Sequence, residues 1–305
     1  MNKKKNADHA LLDKAKTNKK DEFYTRYQDI EKEIIHYTKH FKDKVVYCNT
    51  DNPKYSNYWK YFYDHFSELG LKKLYATYIG DCVSVYSYDG HEVESEALTG
   101  DGDFRSDECI EILKKSDIVV TNPPFSLFRE YINQLDEYNK DFLVICNINA
   151  ITYKEIFALI QANKAWLGIS FGRGISGFIV PNDYEMYGTE TDVLENGDRI
   201  ISPNNCMWLT TLDNEKRHQP IELVKTYKDH EDEYPRYDNY DGINVNKTQH
   251  IPSDYLGAMG VPITFLNKFD PDQFEIIKFR KGDDDKDLRV NGKSPYFRIL
   301  IKRKI

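Results

Sequence analysis

The spacing of apolar residues predicts one helix near the start of the chain and then a series of short strands separated by helices. Ile30, Ile34, Tyr37 and Phe41 recur at helical spacing, so we expect an amphipathic helix over 27–41. Later apolar runs are short and rich in β-branched residues, which is typical of buried strands. The predicted strands are 45–48, 74–79, 118–121, 142–147 and 165–169, and the predicted helices between them are 58–69, 105–115, about 127–138 and 153–162.

This alternation predicts an α/β fold with a doubly wound, mostly parallel sheet. In such a sheet, ligands bind beyond the carboxyl ends of the strands. Asn49–Pro53 and Asn122–Phe125 both follow predicted strands, so the edge that they share is the expected active site. Residues 82–98 predict a β-hairpin and not a helix. Apolar and polar residues alternate on both sides of Asp89-Gly90, which is a good hairpin turn signal.

The periodic pattern fades after about residue 212. Residues 213–258 are charged, rich in tyrosine and without a clear period, whereas 259–280 are apolar again and 296–301 predict a last strand. Residues 1–20 are polar and rich in lysine, which is typical of a flexible terminal segment. We therefore divide the chain into a flexible segment 1–20, a main domain 21–212 and a C-terminal extension 213–305 for substrate recognition.

Composition limits the class of protein. With 305 residues and 40% hydrophobic content, the chain is long enough for one large domain with an appendage or two modest domains. No apolar run reaches the length of a membrane span and the first residues lack a signal-peptide pattern, so we expect no membrane partner. The five cysteines are scattered and no zinc-ligand spacing occurs, so we expect no metal and a reducing cytoplasm. The net charge of −8 argues mildly against a nucleic-acid partner without excluding it, because 42 lysine and arginine residues can lie on one face.

Asn122-Pro-Pro-Phe125 is the most informative segment of the chain. It follows the predicted strand 118–121, and neither proline can donate a backbone hydrogen bond, so the strand must end here. Asn122 offers a side-chain acceptor and Phe125 a flat apolar face, a pair that suits an exocyclic amine on a planar heterocycle. A simpler interpretation is a strand-to-helix turn in which Ser126 caps a helix over 127–138.

This tetrapeptide resembles the Asn-Pro-Pro-Phe/Tyr motif of amino-group methyltransferases that use S-adenosylmethionine. The wider chain resembles the EcoRI-type adenine-specific DNA methyltransferase family over roughly residues 21–280. Besides the tetrapeptide, the segments that carry this resemblance are Asp21-Glu-Phe-Tyr-Thr25, Cys48-Asn-Thr-Asp-Asn-Pro53, Gly100-Asp-Gly-Asp-Phe104, Cys206-Met-Trp-Leu-Thr210, Met259-Gly-Val-Pro-Ile-Thr-Phe-Leu266 and Asp270-Pro-Asp-Gln-Phe274.

The resemblance implies a Rossmann-like methyltransferase fold whose catalytic domain is 21–212. It further implies a site-specific DNA adenine methyltransferase of a restriction-modification system, or a phage or orphan modification enzyme. Such an enzyme transfers a methyl group from S-adenosylmethionine to the N6 amine of an adenine flipped out of double-stranded DNA. The implied catalytic residues are Asn122, Pro123, Pro124 and Phe125. The Asn122 side chain and the Pro123 carbonyl would accept the amine hydrogens, and Phe125 would stack on the base.

The resemblance also implies a set of cofactor-binding residues. These are Tyr24, Thr25, Asn49, Asp51, Asp103 and Phe104. Asp51-Asn52-Pro53 stands where the common methyltransferase pattern has a Gly-x-Gly turn, so the amino-acid end of the cofactor must be held differently. By position alone, Asp81 after the second strand could hold the ribose or could equally be a turn residue, and the resemblance makes Asp51 the better candidate. Likewise, Asp103 could belong to a plain acidic loop, and Tyr24-Thr25 could be a helix N-terminus.

Other interpretations stay open on the sequence alone. The tetrapeptide also suits a methyltransferase for an RNA amine or a protein glutamine amide, and a degenerate fold could serve as a non-catalytic nucleic-acid-binding module. Candidates for DNA contact are Arg173, Arg199, Arg217, Arg236, Tyr234, Tyr237 and Tyr240. Trp208 either walls the pocket or belongs to a core strand. Gly172–Gly177 matches the dinucleotide fingerprint but precedes no helix, so we interpret it as a loop, and Asp283–Asp287 as a solvated acidic turn.

Overall fold

The computed structural model describes residues 23–80, 83–170, 174–181, 191–202 and 205–304. Contacts divide the chain into a first unit, which runs to Ile156 and resumes over Gly168–Leu212, and a second unit, Phe157–Leu167 with Asp213–Ile305. We expected 157–167 in the main domain, whereas these residues cluster with the second unit. The predicted flexible segment 1–20 lies outside the described residues, as do Asp21, Asp81 and Arg173.

The strands up to residue 210 include each predicted one with small changes in its ends, and four that the sequence pattern did not predict, at 24–25, 178–180, 191–193 and 199–201. They are β1 (Tyr24–Thr25), β2 (Val45–Asn49), β3 (Lys73–Thr77), β4 (Ser84–Tyr88), β5 (Val93–Ala97), β6 (Ile118–Thr121), β7 (Asp141–Asn147), β8 (Trp166–Leu167), β9 (Phe178–Val180), β10 (Thr191–Val193), β11 (Arg199–Ile201) and β12 (Cys206–Thr210). In the first unit, one large sheet has the order β5–β4–β3–β2–β6–β7–β12. Its central strands β3, β2, β6 and β7 are parallel, and antiparallel strands flank them.

The α/β class and the hairpin around Asp89-Gly90 are therefore confirmed, since β4 and β5 pair antiparallel across that turn. Helices precede, connect or follow the parallel strands. They are α1 (Tyr27–Ile34), α2 (Asn57–Asp64), α3 (Phe66–Leu69), α4 (Asp107–Lys115), α5 (Phe128–Glu137) and α6 (Lys154–Gln161). The predicted helix over 27–41 keeps its α form only to Ile34, and Ile35–His40 continues as a 3-10 helix. His, Tyr and Thr in that stretch are weak helix formers, which accounts for the change.

A small second sheet of the first unit has the order β1–β9–β11–β10. Tyr24 and Thr25 form strand β1 and pair antiparallel with Ile179 and Phe178. The interpretation of Tyr24-Thr25 as a helix N-terminus is therefore wrong, because α1 begins only at Tyr27.

The core of the first unit is a continuous apolar layer on the large sheet. Val46, Val120, Ile145 and Trp208 belong to one buried cluster, together with aromatic residues of α2. Trp208 is fully buried in β12, so its interpretation as a core-strand residue is confirmed and the pocket-wall alternative is wrong. Among the described residues, no helix is both long and apolar enough to cross a membrane.

The second unit contains a sheet of its own. Its strands are β13 (Gly242–Asn244), β14 (Ala258–Pro262), β15 (Phe274–Phe279) and β16 (Arg298–Arg303), in the order β13–β14–β16–β15. The last strand starts two residues later than predicted. Tyr237, Leu288 and Leu300 pack together in a buried cluster on this sheet.

Gly102 holds the segment that carries Asp103 and Phe104. Its φ is +77°, and an added Cβ would lie 1.9 Å from the Tyr78 carbonyl oxygen. The neighbouring Asp101 carbonyl accepts a hydrogen bond from Gly80 N at 3.0 Å. Both the backbone angle and the close approach therefore require glycine at this position.

We expect Gly102→Ala to destabilise the protein by about 2–5 kcal/mol, because a left-handed alanine is strained and its Cβ would displace the Tyr78 backbone. Gly197→Ala is the matched control: Gly197 also has a positive φ, +91°, but nothing lies within 4 Å of the point that an added Cβ would occupy. That control should cost only about 1–2 kcal/mol. Urea unfolding measures both, and equal losses would contradict the close approach.

Candidate active site

The carboxyl ends of β2 and β6 lie side by side at one edge of the large sheet. Parallel pairing places Tyr47 opposite Val119, so the segments that follow leave the sheet together. Asn49–Asp51 and Asn122 therefore share this edge, as the sequence predicts. The backbone N–H of Asp51 donates to the Thr77 carbonyl at 2.8 Å, which ties the turn after β2 to β3.

The Asn122 side chain is held in one orientation and leaves one acceptor unused. Its Nδ2 donates to the backbone carbonyl of Phe23 at 2.9 Å. Its Oδ1 is buried and has no hydrogen-bond partner among the described residues. A buried acceptor without a donor costs about 1–3 kcal/mol, so a ligand N–H that reaches this oxygen would recover that free energy.

The two prolines convert the end of β6 into a short turn. The Pro124 carbonyl accepts from Leu127 N at 3.0 Å, which starts the 3-10 helix Phe125–Leu127. Helix α5 begins at Phe128, and its N-cap is Leu127 without a side-chain hydrogen bond, so the predicted cap by Ser126 is wrong. Pro123 is buried, and the carbonyl role predicted for it stays a prediction.

Phe125 is half-buried, with one side against the core and one side on a cleft. Its ring meets the Phe178 ring edge-on, with centroids 6.3 Å apart. A cleft of about 190 Å³ is lined by Phe125, Arg129 and Tyr153 among others, and the Arg129 guanidinium lies 4.1 Å from the centroid of the Tyr153 ring. Asn122 is not part of the cleft lining. Part of Phe125 is therefore exposed to this cleft.

Asp51 is a buried carboxylate that is bonded to hydroxyl groups. Ser56 Oγ donates to its Oδ1 at 2.8 Å, and Thr121 Oγ1 donates to its Oδ2. Burial raises the pKa of Asp51 to about 7, and the two hydroxyl hydrogen bonds oppose that rise only in part. Ser56 also caps α2 by accepting from Tyr58 N at 3.1 Å, so the same hydroxyl fixes both the helix and the carboxylate.

Thr50 connects the turn after β2 to the end of β6. Its φ is +82°, and its Oγ1 lies 2.9 Å from Thr121 Oγ1 and 3.4 Å from the Asn122 carbonyl oxygen. Sequence reasoning missed Thr50, Ser56 and Thr121 as parts of the site. The only signal for them was their position beside Asp51 and Asn122, and hydroxyl residues there have many other uses.

Asn49 is a buried residue at the end of β2. Its Oδ1 accepts a hydrogen bond from Tyr131 of α5. Burial raises the pKa of Tyr131 well above its usual range, so its hydroxyl stays protonated and donates. The Tyr131 ring meets the buried Phe104 ring at 5.1 Å, so Asn49 and Phe104 are linked through one tyrosine.

Asp103 lies in an exposed network of charges. Arg105 Nη2 contacts its Oδ2 at 2.7 Å, and Arg105 Nη1 contacts Glu130 at 2.9 Å. The Arg105 hydrogen bond lowers the pKa of Asp103, so this carboxylate stays charged at neutral pH. Its charge is partly balanced by arginine, in contrast to that of Asp51.

Tyr24 and Thr25 lie on the small sheet beside α2. The Thr25 carbonyl accepts from Asn57 Nδ2 at 2.8 Å, and its Oγ1 accepts from the Tyr58 hydroxyl at 3.3 Å. The Tyr24 ring lies 6.2 Å from that of Tyr55. Thr25 is buried, so its contacts are structural in this state.

Two acidic residues of α1 accept hydrogen bonds from Ile169, Ser170 and Ser176. Glu33 accepts from Ile169 N at 2.7 Å and from Ser170 N at 2.9 Å. Asp29 accepts from both the backbone N–H and the hydroxyl of Ser176, at 2.8 and 2.9 Å. Sequence reasoning missed both carboxylates, although each lies on the face of α1 that carries apolar residues. Gly172 itself lies outside the described residues.

Several candidates for DNA contact are instead used inside the second unit. Tyr234 and Tyr237 are buried, and their hydroxyls donate to the His250 carbonyl and to Asn244 Oδ1, each at 3.0 Å. The Arg217 guanidinium lies 3.5 Å from the centroid of the Trp166 ring. For these residues the predicted surface contact is wrong, because polar residues in an aperiodic segment were taken to be exposed.

The remaining candidates differ in their surroundings. Arg236 is exposed and pairs with Asp241 at 3.2 Å, Lys278 lies 4.5 Å above the Tyr240 ring, and Arg199 belongs to β11. In the acidic turn Asp283–Asp287, Asp287 Oδ1 forms an ion pair with Arg280 Nε at 2.8 Å. No cluster of His, Cys, Asp or Glu among the described residues could hold a metal ion.

Comparisons with known proteins extend over nearly the whole chain. The family model described as adenine-specific methyltransferase EcoRI matches residues 11–89 and 80–304. The Type II methyltransferase M.EcoRI of Escherichia coli is 58% identical over 320 aligned positions, which cover 98% of this chain and 98% of that protein. The Type II methyltransferases M.MgeORF184P of Mycoplasma genitalium and M.MpnI of Mycoplasma pneumoniae are each 38% identical, covering 96% of this chain and 98% of their own. No solved structure gives a significant match.

The buried Asp51 leads to a pH-dependent contribution to stability. Its pKa is about 7 in the folded protein and 3.8 in an ordinary carboxyl, so between these values the folded state binds more protons than the unfolded state. Stability from this group is therefore greatest at low pH and is lost as the pH rises through 7. Relative to Asp51→Asn, the parent should lose about 1 kcal/mol of unfolding free energy between pH 6 and pH 8.

Urea unfolding of both proteins at several pH values measures this loss. Glu111→Gln is a control, because Glu111 is an exposed carboxylate on α4 and should leave the pH profile close to that of the parent. A stability difference between parent and Asp51→Asn that does not change with pH would show that Asp51 does not titrate in this range.

Proposed function

Because the chain belongs to the EcoRI family of adenine-specific methyltransferases, it is a DNA adenine methyltransferase, and we propose that it uses S-adenosylmethionine to methylate the N6 amine of an adenine flipped out of double-stranded DNA. Membership of the family favours DNA over an RNA amine or a protein glutamine amide. The observation that carries the proposed mechanism is the buried, unpartnered Oδ1 of Asn122 at the carboxyl edge of the sheet.

We propose that Asn122 and Pro123 orient the amine of the target base. The nitrogen of an exocyclic amine is a weak nucleophile, because its lone pair is delocalised into the ring. Two acceptors, Asn122 Oδ1 and the Pro123 carbonyl, would bind its two hydrogens and turn the lone pair out of the ring plane. Positioning and electrostatic stabilisation of this kind supply much of the acceleration in group transfer. The amine loses its proton to solvent after the new N–C bond has formed, so no strong general base is needed.

We propose that the edge formed by β2 and β6, with the 100–104 segment, is the cofactor side of the site. S-adenosylmethionine supplies an electrophilic methyl group when it is bound. The acidic residues here suit a positively charged ligand with hydroxyl groups, because Asp51 and Asp103 are carboxylates. The Asp51 side chain accepts hydrogen bonds from the hydroxyls of Ser56 and Thr121 and not from a basic side chain. In this proposal Phe104 packs beside the ligand. Tyr24, Thr25 and Asn49 line the same edge. Thr25 is held there by its hydrogen bond from Asn57, and Asn49 by its hydrogen bond from Tyr131.

We propose that Phe125 stacks on the extruded base. Its edge-on contact with Phe178 fixes the ring without covering its whole surface. Extrusion costs a few kcal/mol of lost stacking, and an aromatic partner offsets part of that cost. Pro124 holds the ring in place, because its carbonyl starts the short helix that carries Phe125.

We propose that the second unit, built mainly from 213–305, recognises the DNA sequence. Tyr296 supports this proposal, because it is 68% exposed and stacks on Phe297 with ring centroids 5.0 Å apart. The Arg280 guanidinium lies 4.4 Å from the Phe297 ring. Exposed aromatic and guanidinium groups of this kind suit contact with bases and phosphates.

The purified protein should transfer a labelled methyl group to duplex DNA and yield N6-methyladenine. Asn122→Ala should reduce turnover by about 10²–10³-fold, because it removes an acceptor aimed at the amine. Its affinity for S-adenosylmethionine, measured by calorimetry, should change less than about threefold. Asn133→Ala on the exposed face of α5 is the control and should behave as the parent. Label found only in RNA or protein would sink the substrate assignment, and parent turnover in Asn122→Ala would contradict the role of Asn122.

Phe125→Ala should weaken binding of the flipped base by about 1–3 kcal/mol, the usual range for base–aromatic stacking. Phe125→Tyr and Phe125→Trp keep a flat ring and should retain much of the activity. A mismatch opposite the target adenine makes extrusion cheaper and should partly rescue the alanine variant. Phe128→Ala is a contrasting control, because Phe128 is 3% exposed and its loss should cost about 3–5 kcal/mol of stability. A Phe125→Ala variant with normal turnover and a similar stability loss would assign Phe125 to packing.

A further inference from the structure

Thr50 has a backbone conformation that is costly for its residue type. Its φ is +82°, in the left-handed region. Among the described non-glycine residues with positive φ, the others are Asp, Asn or Arg, and Thr50 alone is β-branched. β-Branched residues are genuine outliers in this region, and such strain persists only where the surrounding structure enforces it. Glycine would form the same turn without strain.

The Thr50 hydroxyl joins the two segments that meet at the active site. It lies 2.9 Å from Thr121 Oγ1 and 3.4 Å from the carbonyl oxygen of Asn122. The Thr121 hydroxyl donates its one hydrogen to Asp51, so its oxygen must accept from Thr50. The hydrogen bonds therefore run from Thr50 to Thr121 to Asp51, and the single Thr50 hydroxyl hydrogen is shared between Thr121 Oγ1 at 2.9 Å and the more distant Asn122 carbonyl oxygen at 3.4 Å.

We propose that Thr50 is a positioning residue for methyl transfer, which locks the Asn122 backbone and the end of β6 against the turn after β2. This inference rests on the proposed function, because the turn after β2 belongs to the cofactor side and Asn122 to the target side. The hydroxyl would set the separation between these two sides. A displacement of about 1 Å between reacting groups is enough to cost about 10²-fold in rate. The strained backbone is retained because the turn needs the hydroxyl, which glycine lacks.

Three substitutions separate the hydroxyl from the backbone strain. Thr50→Val keeps the β-branched shape and the strain but has no hydroxyl. Thr50→Gly removes both the hydroxyl and the strain, and Thr50→Ser keeps the hydroxyl. We expect kcat to fall about 10–100-fold in the Val and Gly variants and to recover most of its value in the Ser variant. The affinity for S-adenosylmethionine should stay within about threefold of the parent in all three.

Thermal unfolding distinguishes positioning from a purely structural role. Thr50→Gly should melt no lower than Thr50→Val, because it relieves the positive-φ strain, while its kcat stays low. If Thr50 were only structural, turnover would follow stability. A Gly variant with the kcat of the parent, or a Ser variant as slow as the Val variant, would overturn the proposal.

Hydrogen–deuterium exchange gives a readout that does not depend on methylation. Peptides covering residues 118–128 should exchange faster in the Val and Gly variants than in the parent, and at the parent rate in the Ser variant. If the parent methylates no DNA, the proposed function fails, yet exchange still reports whether the hydroxyl holds this segment. Unchanged exchange in Thr50→Val would overturn the positioning role even in an active enzyme.

Discussion

The point where β6 must leave the sheet determines the geometry of the candidate active site. Two consecutive prolines cannot donate to a sheet ladder, so hydrogen bonding of β6 ends at Thr121. Parallel pairing with β2 then brings the turn after β2 to the same edge. Asn122 emerges there with its acceptor oxygen buried, and the Pro124 carbonyl starts the short helix that carries Phe125. The end of one strand thus determines the positions of both Asn122 and Phe125.

Hydroxyl groups, and not basic side chains, donate hydrogen bonds to the buried carboxylate of Asp51 at this edge. Ser56 and Thr121 donate to the buried carboxylate of Asp51, and burial raises its pKa to about 7. A salt bridge would have fixed the charge of Asp51 and cancelled its field, as Arg105 does in part for Asp103. Hydroxyls leave most of that field available to a positively charged ligand. Such a ligand would in turn favour the ionised form of Asp51.

Much of the fold could be predicted because it depends on local sequence. The β-branched run Ile118–Thr121 and the Asp89-Gly90 turn determine their own structure, and both are confirmed. The missed features depend on distant contacts. Glu33 binds Ile169 N and Thr50 takes a positive φ only because of the segments packed around them. A charged residue on a helix, or a threonine in a turn, gives no sign of such a partner. Buried tyrosines in an aperiodic segment are hard to predict for the same reason.

The N-terminal segment connects Asn122 to the rest of the first unit. The Phe23 carbonyl accepts from Asn122 Nδ2, and this bond fixes the orientation of the Asn122 amide. The next two residues form β1 on β9, and Asp29 of α1 then holds Ser176 in the loop before β9. Orientation of the amide therefore depends on a segment 99 residues earlier in the chain. The strand–proline motif fixes where Asn122 lies, but this second contact decides that Oδ1, and not Nδ2, is the amide atom without a hydrogen-bond partner among the described residues.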